Sequence, residues 1–576
     1  MPERDPVGDL PEEPIEKQPV LPMEFPPPQA SPQGGGRIEE PPPPVLSAVL
    51  DQAHLGDIEG ALGTIRLEDV ARRRTWRQHL LTLAAIIGPG LIVMVGDNDA
   101  GGVSTYAQAG QDYGYSLLWT LIFLLPVLIV NQEMVVRLGA VTGVGHARLI
   151  NERFGRFWGF FSVGDLFLLN FLTIMTEFIG ISLAGAYFGI SPLIVVPLSA
   201  AILIMITTTG NFRRWERAMF LFLAANLLVF PLAILSHPKP GAALHGFLVP
   251  GVAGGLSSSA VLLIIAIVGT RVAPWQLFFQ QSNVVDKRIT PRWLGYERAD
   301  TVIGAFVVII GATAIMMATA SAFAGTKDFG HFTDALGTAI GLSRHAGRAV
   351  GIIFALLLFD ASIVGASAVT LATSYAFGDV FGLRHSLHRS FGEARVFYGS
   401  YTGLVVLAAA IVLIPQAPLG LITTAVQALA GILLPSATVF LVLLCNDREV
   451  LGPWVNAAWL NALAIIIVGV LLMLSLILVI STIFPAIDVP RLLVVLSAIL
   501  ILVLLGGGAW AWRKKAAPQP TIDRQARERW RMPPLALLSR PTWSPARRAA
   551  MFTLRAYLVV AVLLLVVKAV ELAVRH

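Results

Sequence analysis

The 576-residue chain is 55% apolar and only 14% charged, against about 25% charged in ordinary soluble domains, and its mean hydropathy is +0.72. Those figures exclude a disordered chain, a fibrous repeat and a soluble enzyme of normal surface, and leave a polytopic membrane protein. The single cysteine, Cys445, excludes a disulfide framework and a multi-cysteine metal site, while the net charge of +6 matters more for where it lies than for its sum.

Residues 1–70 carry proline clusters (Pro26 to Pro28, Pro41 to Pro44), Gly34 to Gly36 and scattered acids. Such a segment cannot bury enough apolar surface to offset the entropy of ordering, so it reads as a disordered, Pro-rich cytoplasmic tail. It shows no basic start followed by an apolar stretch, and so is not read as a secretory signal. From His79 onward apolar runs alternate with short polar punctuation. Spans are predicted near 79–112, 116–138, 157–187, 192–209, 217–236, 257–283, 301–324, 348–377, 396–414, 419–446, 457–483 and 490–512, with a thirteenth run near 550–572. Each can cross about 30 Å of hydrocarbon at about 1.5 Å per residue. Backbone groups in lipid must be satisfied within the segment, and β-barrel alternation is absent, so the spans are helices.

Cations set the expected orientation. Arg72, Arg73, Arg74 and Arg77 precede the first span. The loops on that same side carry Arg148, Arg153 and Arg156, then Arg213, Arg214 and Arg217, then Lys287, Arg288, Arg292 and Arg298. Arg384, Arg389 and Arg395 follow, and later Arg513, Lys514 and Lys515. Only the loop near 325–348 departs from the pattern, with Lys327, Arg344 and Arg348. The rule that cytoplasmic loops are cation-rich puts the N-terminus in the cytoplasm of a plasma (inner) membrane protein. The positive charge is then a topology signal, with no nucleic-acid partner implied. Trp119, Trp158, Trp454 and Trp459 read as interfacial anchors.

Two spans are broken. The first is interrupted at Gly96-Asp97-Asn98-Asp99-Ala100-Gly101-Gly102, the sixth at Gly269-Thr270-Arg271-Val272-Ala273-Pro274. Adjacent glycines with carboxylates, and a proline that lacks an N–H and clashes with the preceding turn, both end a helix. The two breaks hold matching places if the chain is two five-helix repeats, and paired breaks point to a transport site at the bilayer midplane. Unwound carbonyls and the negative C-terminal ends of half-helices, joined by a carboxylate, favour a cation. Arg271 inside the second break would oppose one, so it is expected to turn away and pair with Asp97 or Asp360. Asp360 is either that structural partner or part of a cation path. Glu177 is either a buried, hydrogen-bonded acid or a group in transport. The Thr270 hydroxyl either faces the ion or bonds back to its own helix.

At these residues the chain resembles the NRAMP family of divalent-metal transporters. Gly88-Pro89-Gly90, Asp99-Ala100-Gly101-Gly102 and Gln108-Ala109-Gly110 are similar to the family's GPG, DPGN and QAG at the same spacing. Arg137 to Gly143 resembles RLGxVTG, and Glu177 to Gly180 resembles EVIG. Arg213 to Glu216 is similar to RKLE, and Gln427 with Leu434-Pro435 is similar to SQ…LP. The likeness covers about residues 80–480. It implies an all-α, leucine-transporter-like fold of inverted five-plus-five helices with broken helices one and six, and two or three extra C-terminal helices. The core is expected at 71–483 with about eleven helices. An additional transmembrane helix follows at 484–515, then a basic cytoplasmic segment at 516–549 and an extra helix within 550–576.

The resemblance also implies a metal site at Asp99, Ala100, Gly102, Thr270, Ala273 and Gln427, with Asp99 as the charged ligand. The family's DPGN Asn is Gly102 here, its helix-six Ala-x-x-Met pair becomes Thr270 and Ala273, and its Pro-His becomes Pro274-Trp275. Without the thioether the donors are all oxygen, which suits Mg²⁺ first and Mn²⁺ next. Gly102 and Ala273 leave room for water on the ion, a pattern similar to the magnesium-transporting branch of the family. The family's helix-three Asp falls on Ile174 and its helix-six His on Trp275, so proton coupling is expected to be weak or absent. Glu177, Asp97, Asp360 and Arg271 remain candidates for an ion or proton path. The implied function is alternating-access transport of a divalent cation, which is substrate; no cofactor is implied. The alternatives are a proton-coupled Mn²⁺/Fe²⁺ importer and an amino-acid or amine symporter of the same fold. No paired metal-ligand histidines, nucleophile elbow or phosphate loop supports an enzyme.

Overall fold

The computed structural model describes residues 48–49, 51–414, 426, 436–513 and 523–539, with scattered positions from 548 to 559. A two-stranded antiparallel hairpin, β1 (Ile58–Gly60) and β2 (Gly63–Ile65), precedes the helices. These run as α1 (Trp76–Ile86), α2 (Pro89–Gly96), α3 (Ala100–Tyr113), α4 (Trp119–Thr142), α5 (His146–Phe154), α6 (Arg156–Tyr187), α7 (Pro192–Thr207), α8 (Phe212–Ala225), α9 (Val229–Leu235) and α10 (Pro240–Leu248). Then come α11 (Ser258–Arg271), α12 (Pro274–Asp286), α13 (Leu294–Phe323), α14 (Ala335–His345), α15 (Arg348–Phe381) and α16 (Arg395–Val412). The last are α17 (Ser436–Cys445), α18 (Arg448–Leu451), α19 (Ala458–Ile483), α20 (Val489–Arg513) and α21 (Arg524–Arg529).

Among the described residues nine helical stretches are long and apolar enough to span a bilayer, and α1 with α2 makes a tenth, bent by 54°. The expected first span is therefore broken twice. Thr75 and Gln78 form a reciprocal N-terminal cap that starts α1. The chain then turns at Gly88, whose φ of 156° suits a residue without a Cβ, and restarts with Pro89 at the first helical position. Asp300 of α13 caps the new start: its carboxylate accepts from Gly88 N (2.9 Å), Gly90 N (2.7 Å) and Leu91 N (3.1 Å). Three free N–H groups are thereby satisfied inside the bundle, where no water could satisfy them. Helices α6 and α15 lie side by side through the centre, and α13 packs against α2, α3 and α4.

The structure revises several expectations. Residues 51–65, which composition assigns to a disordered tail, form a 3₁₀ turn and the hairpin. They are ordered by partners far away in sequence, which local composition does not reveal. Trp158 and Trp454 are buried rather than interfacial: Trp158 packs on Phe161 and Phe440, and Trp454 lies under the Arg527 guanidinium, 4.1 Å from its ring centre. Trp459 is 68% exposed, as an anchor would be. Part of the basic segment also docks: Met532 is buried, and Arg153 donates to the Ser539 carbonyl at 2.8 Å. Most of the expected spans at 419–446 and 550–572 lie outside the described residues.

Candidate functional site

Asp97, Asn98 and Asp99 fill the gap between α2 and α3. Asp99 is extended (φ −64°, ψ −179°) and caps α3, its Oδ1 accepting from Gly102 N at 2.7 Å. Ala100 N donates to Glu177 Oε2 of α6 at 3.0 Å. The N-terminus of α3 thus already holds two carboxyl groups, the favoured arrangement for its exposed N–H groups. In the second gap α11 stops at Arg271, Val272 leaves helical geometry, and Ala273 leads into Pro274 at the first position of α12. The final carbonyls of α11 have no intrahelical partner, and its C-terminal end is electronegative.

The two gaps share a cavity of about 30 Å³ lined by Asp99, Gly269, Thr270, Ala273 and Trp275, with Thr173 and Thr176 of α6. That is room for a water-sized guest. No sulfur atom lines it among the described residues. Val426 reaches its wall, while Gln427 lies outside the described residues. Thr176 also borders a larger cavity of about 360 Å³ lined by Ala100, Ser104, Gln108 and the loop Phe332–Asp334, a loop that follows the far end of α13 from Lys287 and the hairpin. Among the described residues the lining of this vestibule is hydroxyl, amide and apolar, with the single acid Asp334 and no cation.

Arg271 turns away from the cavity. Its Nη1 lies 2.7 Å from Asp97 Oδ2, Nη2 donates to Asn98 Oδ1 at 2.8 Å, and the guanidinium stacks 4.5 Å from the Tyr106 ring centre. Gln276 donates to the other Asp97 oxygen. Of the two expected partners the structure selects Asp97; Asp360 instead accepts from Asn226 Nδ2 at 3.2 Å. Asp97 and Arg271 are both fully buried, so Asp97 is spent in the ion pair, and among the described residues Asp99 is the one acid at the cavity wall.

Thr270 lines the cavity, but its hydroxyl donates to Ile267 O at 3.0 Å, and Tyr106 Oη lies 3.0 Å from Thr270 Oγ1. With its proton given to Ile267, the hydroxyl accepts from Tyr106 and keeps one lone pair. At Gly102 a Cβ would sit 3.0 Å from the Asp97 carbonyl oxygen, so a larger residue would need that turn to shift. Sequence reasoning missed Gly365 of α15, against which a Cβ would meet the Glu177 carboxyl carbon at 2.9 Å and Asp99 Cβ at 3.0 Å. A helical glycine in an apolar span carries no local signal of the two acids it accommodates. Gln276 and Tyr106, which position Asp97 and Thr270, were also missed.

A family model described as natural resistance-associated macrophage protein-like matches residues 90–481. The divalent metal cation transporter MntH of Lacticaseibacillus casei is 28% identical over 420 residues, covering 70% of this chain and 90% of the relative. That of Pectobacterium carotovorum is 26% identical over 425 residues, 71% and 96% of the two chains. The Eremococcus coleocola manganese transporter superposes with a TM-score of 0.59 at 20% identity, over 78% of this chain and 98% of its own, which establishes a shared fold. The all-α polytopic, leucine-transporter-like class with broken first and sixth spans is therefore the fold adopted. The chain belongs to the NRAMP family, whose members are transporters and not enzymes.

Proposed function

We propose that the protein carries a divalent cation across the plasma membrane by alternating access, with the ion held between Asp99 and the C-terminal end of α11. The observation that carries this reading is the convergence of both helix breaks on one small cavity whose wall, among the described residues, holds one acid, Asp99, that has no cationic partner. The names of the relatives support Mn²⁺ as a substrate. The described lining offers carboxylate, hydroxyl and carbonyl oxygens and no sulfur, with Ala273 where the family has a thioether, which favours hard cations and so adds Mg²⁺, an ion that keeps part of its water shell. Gly102 and Ala273 leave space for that water, and Gln427 completes the donor set in this reading. With Ile174 and Trp275 in place of the family's titratable pair, proton coupling is weak or absent. In this reading the hairpin face is cytoplasmic, which the cation-rich loops support.

The amino-acid alternative fares worse, because Asp99 and Glu177 already occupy the α3 N-terminus that a substrate carboxylate would need. Competition in proteoliposomes tests the ion assignment. Excess Mg²⁺ is expected to suppress Mn²⁺ uptake and to enter the vesicles itself without acidifying them. Mn²⁺ uptake indifferent to Mg²⁺, or accompanied by matching proton entry, would refute it.

A further inference from the structure

The ordered stretch 51–65 lies outside the family match at 90–481, yet it is tied to four elements around one end of the broken first span. Gly60 and Gly63 lie flat on Ala85 of α1: a Cβ on Gly63 would stand 3.1 Å from Ala85 Cβ, and one on Gly60 would overlap the Ala85 carbonyl. In the hairpin turn, Ala61 N donates to Glu216 Oε2 of α8 at 2.5 Å, and Arg217 Nε donates to Ala61 O at 3.1 Å. Glu216 Oε1 lies 2.5 Å from Lys287 Nζ, which also donates to Ile87 O at the end of α1 (2.9 Å). Beyond α12, Arg288 sits in left-handed geometry (φ 65°) and donates to Ala53 O (2.9 Å) and Asp57 O (3.0 Å).

The other end of the strap is anchored to the segment after α15. Arg389 Nε donates to both Asp51 oxygens, at 2.9 and 3.1 Å. Burial pushes the Asp51 carboxyl up, but these bonds outweigh it and hold it well below the usual carboxylate range. His54 Nε2 lies 3.2 Å from the His385 carbonyl and 3.6 Å from Asp286 Oδ1 at the end of α12. The end of α1, the start of α8, the end of α12 and the segment after α15 are therefore all bound to one short chain segment. In the transport reading, opening on the hairpin face means that one packed group of helices moves away from another, and α2 here packs on α8 and α12.

We propose that residues 51–65 form a latch that holds this face shut, so that release of the ion on the hairpin face requires the strap to lift. The proposal rests on the transport reading for its purpose, though not for its test. A contact made only in the closed state lowers the open population by its full differential energy. A Gly63→Cys/Ala85→Cys pair in a Cys445→Ala background starts from 3.1 Å between Cβ positions, short of the roughly 3.5–4.5 Å of a disulfide, so it should bridge once the hairpin gives by a few tenths of an ångström. Its oxidation is expected to cut Mn²⁺ flux by about tenfold and reduction to restore it. Separately, Gly60→Leu should speed labelling of Ala273→Cys by a charged thiol reagent applied from the hairpin face, by about fivefold. Asp51→Ala, which removes the Arg389 pair, serves if Gly60→Leu does not fold. Unchanged flux after cross-linking, with unchanged labelling, would overturn the latch. If the unmodified protein moves no Mn²⁺ the transport reading fails, and the labelling rate still decides whether the strap guards the site.

Discussion

The two helix breaks face one cavity but are built from different materials. The first supplies side-chain charge: Asp97 and Asp99 stand two residues apart, one consumed by Arg271 and the other left at the cavity wall. The second supplies backbone: α11 simply ends, and Ala273-Pro274 starts the next helix without placing any charge in the cavity. Arg271, contributed by the second break, neutralises the surplus acid of the first and fastens the two together. The comparison teaches a division of labour. In the proposed reading one break sets the charge of the guest and the other its coordination shell, and the buried Arg271–Asp97 ion pair joins the two.

That division can be broken piece by piece. The largest effect is expected at Asp99. Asp99→Ala should abolish Mn²⁺ and Mg²⁺ uptake in liposomes while the purified protein stays folded, its stability lowered by only about 1 kcal/mol for the lost α3 cap. Next comes the fastening. Arg271→Ala leaves Asp97 fully buried without its cation, a loss of about 3–5 kcal/mol. Thermal unfolding in detergent should show it, and the Asp97→Ala/Arg271→Ala double variant should recover part of the loss; fully additive losses would dissolve the pair. A smaller effect follows from Gly365→Ala. The added methyl presses on both Glu177 and Asp99 and should cost about 1–3 kcal/mol as overpacking, with slower flux. The mildest change sharpens the second break. Ala273→Met adds a soft donor, and Mn²⁺ uptake should become less sensitive to Mg²⁺ competition with little change in stability.

Much of this was legible in the sequence because the breaks announce themselves locally. Glycines beside carboxylates at 96–102 and Pro274 after Gly269 are helix-ending chemistry wherever they fall, and charge inside a membrane span demands a partner. The Arg271 pairing was legible to within two candidates, since Asp97 and Asp360 were the available acids; choosing between them required the tertiary arrangement. Three features were hidden. The second bend at Ile87–Gly88 was masked by the longer apolar run around it. Gly365 is significant only because α6 and α3 bring Glu177 and Asp99 to it. The strap at 51–65 looks like tail because its order comes from Arg217, Arg288 and Arg389, more than 150 residues downstream.

The central claim is that both breaks hold one ion. Anomalous diffraction from crystals grown with Mn²⁺ addresses it most directly. The account predicts a single strong peak beside the Asp99 carboxylate, within direct or water-bridged reach of the backbone from Gly269 to Ala273. A peak elsewhere, with none beside Asp99, would contradict it.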